Sequence, residues 1–199
     1  MTPWTPSRRG ALLALAGTAL LPVAARAAGT APSDSVYQLP AALTDQDGRG
    51  FELPSLRGSP VLFSMFYTSC EMVCPMIFET VQATLAALPA AEQKAVKVLM
   101  LSFDPARDTV AVLRQTFQAH GCDSRWTLAR GDEATVRKVA AALGFQYRRL
   151  SSGEFNHSTQ IDLLDKAGRV VAKTGQLGKP DPALVKAARQ AVQAAQAAT

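Results

Sequence analysis

The sequence predicts an α/β domain built on a central mixed sheet, flanked by helices and entered through an N-terminal β-hairpin. Three observations carry that reading. Two near-continuous apolar runs, residues 61–66 and 96–102, have the length and composition of strands buried on both faces. After each comes a stretch with apolar residues at helical spacing, closed by a proline or a glycine. Near the C-terminus, Asp165-Lys166-Ala167-Gly168 separates two short apolar segments and marks a hairpin turn.

In chain order, residues 1–27 read as an export signal peptide. Arg8 and Arg9 open it, an apolar stretch runs from Ala11 to Ala25, and Ala25-Arg26-Ala27 offers a small-residue cleavage site. As a helix, residues 10–25 would span only ~24 Å, short of a bilayer core of ~30 Å. Cleavage is therefore expected, with a membrane anchor as the outcome if the segment is kept. Ser7-Arg8-Arg9 resembles a twin-arginine signal; the general secretory route stays open. Export implies a periplasmic location and an oxidising setting. Residues 28–35 are expected to be a flexible lead into a single domain over 36–199.

That domain opens with extended pieces at Val36–Leu39 and Phe51–Leu53, around the turn signal Asp45-Gln46-Asp47-Gly48. Val61–Phe66 is the first buried strand. A helix over Met76–Leu88 follows, with Ile77, Val81, Leu85 and Leu88 on one face and Pro89 beyond it. Val96–Ser102 is the second buried strand. Asp108 or Thr109 caps a helix that runs to His120 and stops at Gly121. Trp126–Leu128 is a short strand, and Asp132–Leu143 is a helix ended by Gly144. Ile161–Leu164 and Val170–Lys173 form a hairpin, and Pro182–Ala198 is the last helix. Strand–helix–strand–helix, then hairpin, then helix is the order of a thioredoxin-like fold.

Of the 199 residues, 48% are hydrophobic and 19% charged, which excludes a disordered, highly charged chain. The net charge of +5 first suggests an anionic partner. Arg8, Arg9 and Arg26 account for the excess. Without the first 27 residues, 18 basic and 16 acidic residues remain, a charge of +2. No basic run interleaves with aromatics, so nucleic-acid binding is not indicated.

In open α/β sheets, sites form beyond the carboxyl ends of parallel strands. The loop after Phe66 carries Cys70-Glu71-Met72-Val73-Cys74-Pro75, and the loop after Ser102 carries Asp104-Pro105. His157 lies just before Ile161–Leu164. If that strand runs antiparallel to the first two, topology brings all three segments to one edge. Cysteines at i and i+4 share one side of a helical turn, and a helix start favours thiolate. Two thiolates and an imidazole form a soft donor set, suited to Cu(I) and acceptable to Cu(II). Zinc would also accept it, but a structural zinc site needs a fourth protein ligand. A structural disulfide is the plain alternative, though so small a loop gains little from closure. Met72, between the cysteines, also carries a soft thioether. His120 is expected to be a cation at a helix C-terminus rather than a ligand. Cys122 is expected to be a quiet, semi-buried thiol that bridges to neither of the other cysteines, because a helix of ~12 residues carries it ~18 Å away.

Three segments together resemble the Sco/SenC family of thioredoxin-like copper proteins. They are Phe66-Tyr67-Thr68-Ser69-Cys70-x-x-x-Cys74-Pro75, Ser102-x-Asp104-Pro105-x-Arg107-Asp108-Thr109, and His157-Ser158 followed by Ile161-x-Leu163-Leu164-Asp165. The resemblance covers roughly residues 36–195. It implies copper ligation by Cys70, Cys74 and His157. It also implies delivery of copper to the CuA site of cytochrome c oxidase subunit II, or maintenance of its thiols. The expectation is a monomer that acts as a metallochaperone rather than an enzyme. Glu71-Met72 stands where the family often has Pro-Asp, which displaces a carboxylate by one position. That departure leaves room for another copper-enzyme client. Asp104 and Glu71 are expected to support the ligands without binding metal. The alternative is a thiol–disulfide oxidoreductase or redox sensor using the Cys70/Cys74 pair.

Overall fold

The computed structural model describes residues 1–2 and 32–197, and residues 32–197 form one compact unit. The export signal expected at residues 1–27 lies outside the described residues, apart from the first two. No helix among the described residues is long and apolar enough to cross a membrane.

The chain enters earlier and more firmly than expected. Ser35, within the expected flexible lead, is buried, and its hydroxyl accepts the N–H of Tyr37 at 3.1 Å. It caps a 3₁₀ turn over Val36–Gln38, where an extended segment was predicted. The turn wins because Val36 N–H finds the carbonyl of Gly168 at 2.9 Å and Tyr37 drops its ring beneath that glycine. A Cβ on Gly168 would collide with the ring, and its φ of +82° suits glycine alone.

The N-terminal hairpin does form, but closer to its turn: β1 is Ala42–Asp45 and β2 is Gly50–Glu52. A 3₁₀ turn at Leu53–Leu56 leads into β3, Val61–Phe66, buried at every position. Helix α1 spans Val73–Ala86 and α2 is a single turn at Ala90–Gln93. Then come β4 (Lys97–Ser102), α3 (Val110–Ala119), β5 (Trp126–Arg130) and α4 (Glu133–Leu143). Thr109 caps α3 and Asp132 caps α4, each accepting an orphan N–H of the first turn. Gly144, at φ +77°, ends α4. Two three-residue strands, β6 (Tyr147–Arg149) and β7 (Phe155–His157), form an unanticipated hairpin. The chain closes with β8 (Ile161–Leu164), β9 (Val170–Thr174) and α5 (Pro182–Gln196).

The main sheet runs β2-β1-β5-β4-β3-β8-β9. β3 pairs in parallel with β4 and antiparallel with β8, as the topology argument required. Ser64 faces Ile161, so the start of β8 lies beside the carboxyl end of β3. β6 and β7 pair only with each other, outside that sheet. The architecture is a thioredoxin-like mixed sheet with helices packed against it.

Candidate metal centre

The cysteine loop is the direct continuation of β3. Tyr67 stays buried, and Thr68 turns the chain by bonding to Asp108, which receives both its N–H and its hydroxyl. Asp108 is fully buried and also accepts the hydroxyl of Ser102, the last residue of β4. One carboxylate thus ties the loop after β3 to the end of the neighbouring strand. Burial raises its pKa, and the bonds from Ser102 and Thr68 oppose that rise.

Helix α1 starts three residues earlier than predicted, so Cys74 and Pro75 lie in its first turn. Its N-cap is Met72, whose side chain caps nothing. The orphan N–H of Cys74 turns instead to the sulfur of Cys70, 3.4 Å away. Burial alone would raise the Cys70 thiol. The N–H and thiol of Cys74, with the N–H groups of Met72 and Val73, outweigh it and hold Cys70 below its ordinary value. Cys74 is only 3% exposed, and burial pushes its thiol up. The two sulfurs therefore differ: one is half-exposed and thiolate-prone, the other enclosed.

The imidazole arrives on β7. Tyr147 pairs with His157 across the small hairpin, and Ser158 N–H bonds the Gln146 carbonyl at 2.8 Å. An aromatic cluster holds the hairpin against the body. Phe103 stacks on Tyr147 at 4.9 Å, Tyr67 meets Phe155 at 5.1 Å, and the Tyr67 ring stands edge-on to His157 at 5.7 Å. Two polar ties add to this: the Tyr67 hydroxyl donates to Glu154, and Arg107 donates to the Gly153 carbonyl at 2.9 Å. His157 Nδ1 lies 2.9 Å from the Ser158 carbonyl. A carbonyl only accepts, so Nδ1 carries the proton and Nε2 keeps its lone pair for a metal.

Sulfur of Cys70, sulfur of Cys74 and a ring nitrogen of His157 lie within 4.8 Å of one another, the one such cluster among the described residues. None of the three cysteines is in a disulfide. The donor set is soft, and the buried carboxylates nearby are engaged elsewhere, which fits a soft ion better than a hard one. A cleft of about 430 Å³ opens onto Cys70 and His157, with Glu71, Met72 and Glu154 also along it.

The other predicted residues sort as follows. Glu71 is exposed on that cleft. Asp104 is buried and its carboxylate pairs with Arg107, so its path to the hairpin runs through the guanidinium. His120 caps the end of α3, as placed by the sequence, but it is not the expected cation. Its ring lies half-buried and flat on Phe78 at 4.0 Å, and burial lowers its pKa below 6.5. Cys122 is half-buried against the core and burial pushes its thiol up to about 12. No local sequence signal marks Asp108 beyond a possible helix cap, and none marks Tyr67 or Arg107. All three stood inside the recognised segments, but only the fold shows what they bond.

The SCO1/SenC family profile matches residues 30–193. A SCO2-like protein of Rickettsia prowazekii is 27% identical over 136 residues, which cover 65% of this chain and 65% of that relative. Among solved structures, copper-bound ScoI of Bradyrhizobium japonicum is 27% identical with a TM-score of 0.65, over 78% of this chain and 97% of that one. A SCO1/SenC family lipoprotein of Bacillus anthracis is 25% identical with a TM-score of 0.67, over 75% and 90% of the two chains. With the profile spanning most of its length, and its fold and its paired cysteines in place, the chain belongs to the SCO1/SenC family.

Proposed function

We propose that the protein is an exported copper carrier that binds one copper ion through Cys70, Cys74 and His157 and hands it to a copper enzyme. The observation that carries this reading is the convergence of two sulfurs and one imidazole nitrogen within 4.8 Å. The copper held by the Bradyrhizobium japonicum relative supports the choice of metal. Thiolates stabilise Cu(I), and the imidazole lets the same site hold Cu(II). The half-exposed Cys70 faces the cleft, so an incoming client ligand would displace it before the enclosed Cys74. The client we favour, from the family resemblance, is the CuA site of cytochrome c oxidase subunit II, met in the periplasm after removal of residues 1–27. The reduced protein should take up one copper per chain. Cys70→Ser and Cys74→Ser should each abolish tight binding in a chelator-competition titration. Wild-type affinity in either variant would mean that the site is elsewhere.

One observation favours a second reading. The unequal thiols suit disulfide exchange: Cys70 thiolate attacks a client disulfide and releases one client thiolate, and Cys74 then resolves the mixed disulfide. The products are a Cys70–Cys74 disulfide and a reduced client, with an external thiol reductant needed to restore the pair. The imidazole separates the two readings, because exchange has no need of it.

A further inference from the structure

We propose that Met72 is an additional copper donor, a thioether that receives Cu(I) at the mouth of the cleft and stays bonded to it beside Cys70. This inference rests on the copper-binding reading above. Three features of Met72 point to it. It is 77% exposed, the most exposed large apolar side chain of residues 32–197. It lines the same cleft as Cys70 and His157. It is the N-cap of α1, two residues from Cys70 and two from Cys74, so its backbone is anchored beside both sulfur ligands. Three rotatable bonds then let the thioether swing over the metal without moving the backbone.

The remaining chemistry agrees. Two sulfurs and one nitrogen would leave Cu(I) room for a further soft donor, and thioether sulfur is one. The donor is neutral and bonds weakly, so a client thiolate can displace it without proton transfer. Glu71 and Glu154 along the same cleft add negative charge that draws a cation in. The other methionines of residues 32–197 do not compete. Met65 and Met100 are buried in strands, and Met76 does not line the cleft shared by Cys70 and His157.

Selenomethionine labelling tests this directly. The reduced, labelled protein is loaded with Cu(I), and X-ray absorption at the copper edge reports whether selenium bonds the metal. A selenium neighbour is expected in the wild type and in Met76→Leu, and its loss is expected in Met72→Leu. Met72→Leu should also weaken Cu(I) binding about tenfold in competition titration, and Cu(II) binding less, because thioether prefers the softer ion. A copper site with two sulfurs and one nitrogen but no selenium overturns the Met72 donor and leaves the copper reading intact. Selenium that persists in Met72→Leu overturns it as well. A protein that takes up no Cu(I) overturns both.

Discussion

The cysteine loop hangs from the central sheet, whereas His157 sits on a hairpin that pairs with no strand of that sheet. The loop is fixed by main-chain continuity with β3, by the Asp108 carboxylate and by the start of α1. The hairpin is fixed by aromatic packing and two hydrogen bonds. On these ties the hairpin that carries the imidazole should open more readily than the cysteine loop. A site assembled in this way should lose the imidazole with the two sulfurs left in place.

The sharpest way to break the comparison is to remove the imidazole. His157→Ala should lower copper affinity by at least ~100-fold, beyond what loss of a supporting partner costs, while Cys70 keeps its wild-type rate of alkylation. Competition titration and timed iodoacetamide labelling read the two effects. Equal loss of both would mean that the hairpin also shapes the thiols, and that the halves are not independent.

A smaller effect is expected from loosening the sulfur half. Asp108→Asn keeps the size of the side chain but turns an amide NH₂ toward the donors of Thr68 and Ser102. It should cost about 1–3 kcal/mol of stability in urea unfolding, with a drop in copper affinity of up to ~100-fold. Unchanged stability would remove Asp108 from its place as the anchor of the loop.

Loosening the histidine half should cost less. Tyr67→Phe keeps the ring but loses the bond to Glu154. Amide exchange at Phe155–His157 should quicken, and copper should bind about tenfold more weakly. Asp104→Asn, which acts on the hairpin only through Arg107, should do the same to a lesser degree. If exchange in the hairpin stays as slow as in the main sheet, the contrast in rigidity fails.

The smallest effect belongs to Cys122. Cys122→Ser should leave copper uptake unchanged, because its thiol is half-buried and pushed up to about 12. Peptide mapping without reductant should find no Cys70–Cys122 or Cys74–Cys122 bridge in the freshly purified protein.

The contrast between the halves also explains what the sequence made legible. β3, β4, α3, α4 and the β8–β9 hairpin follow from apolar runs, caps and turn residues, all of them local signals. The cysteine pair was visible for the same reason: its spacing, its proline and the strand before it are contiguous. β6 and β7 carry no such signal. Tyr147-Arg148-Arg149 and Phe155-Asn156-His157 are too short and too polar to show a period, and Phe103 and Tyr67 hold them from far along the chain. His157 was placed at the correct edge by the direction of β8 alone. The 3₁₀ turn at Val36–Gln38 was missed because its cause, the fit of Tyr37 beneath Gly168, joins residues that are distant in sequence.

Gln146 and Ser158, the residues flanking the small hairpin, already hold each other by two bonds of 2.8 Å, one in each direction. On their outer sides the chain rejoins the core directly at Phe145 and three residues on at Ile161. Residues 147–157 are thus a detachable excursion whose exit and entry points touch. A variant lacking the excursion would close the same junction with almost no loop to order, at the expense of the aromatic cover over Tyr67 and Phe103. Transplanting the eleven-residue cassette, together with aromatic residues at the positions of Tyr67 and Phe103, would be a compact route to furnishing another two-cysteine fold of this type with a third donor.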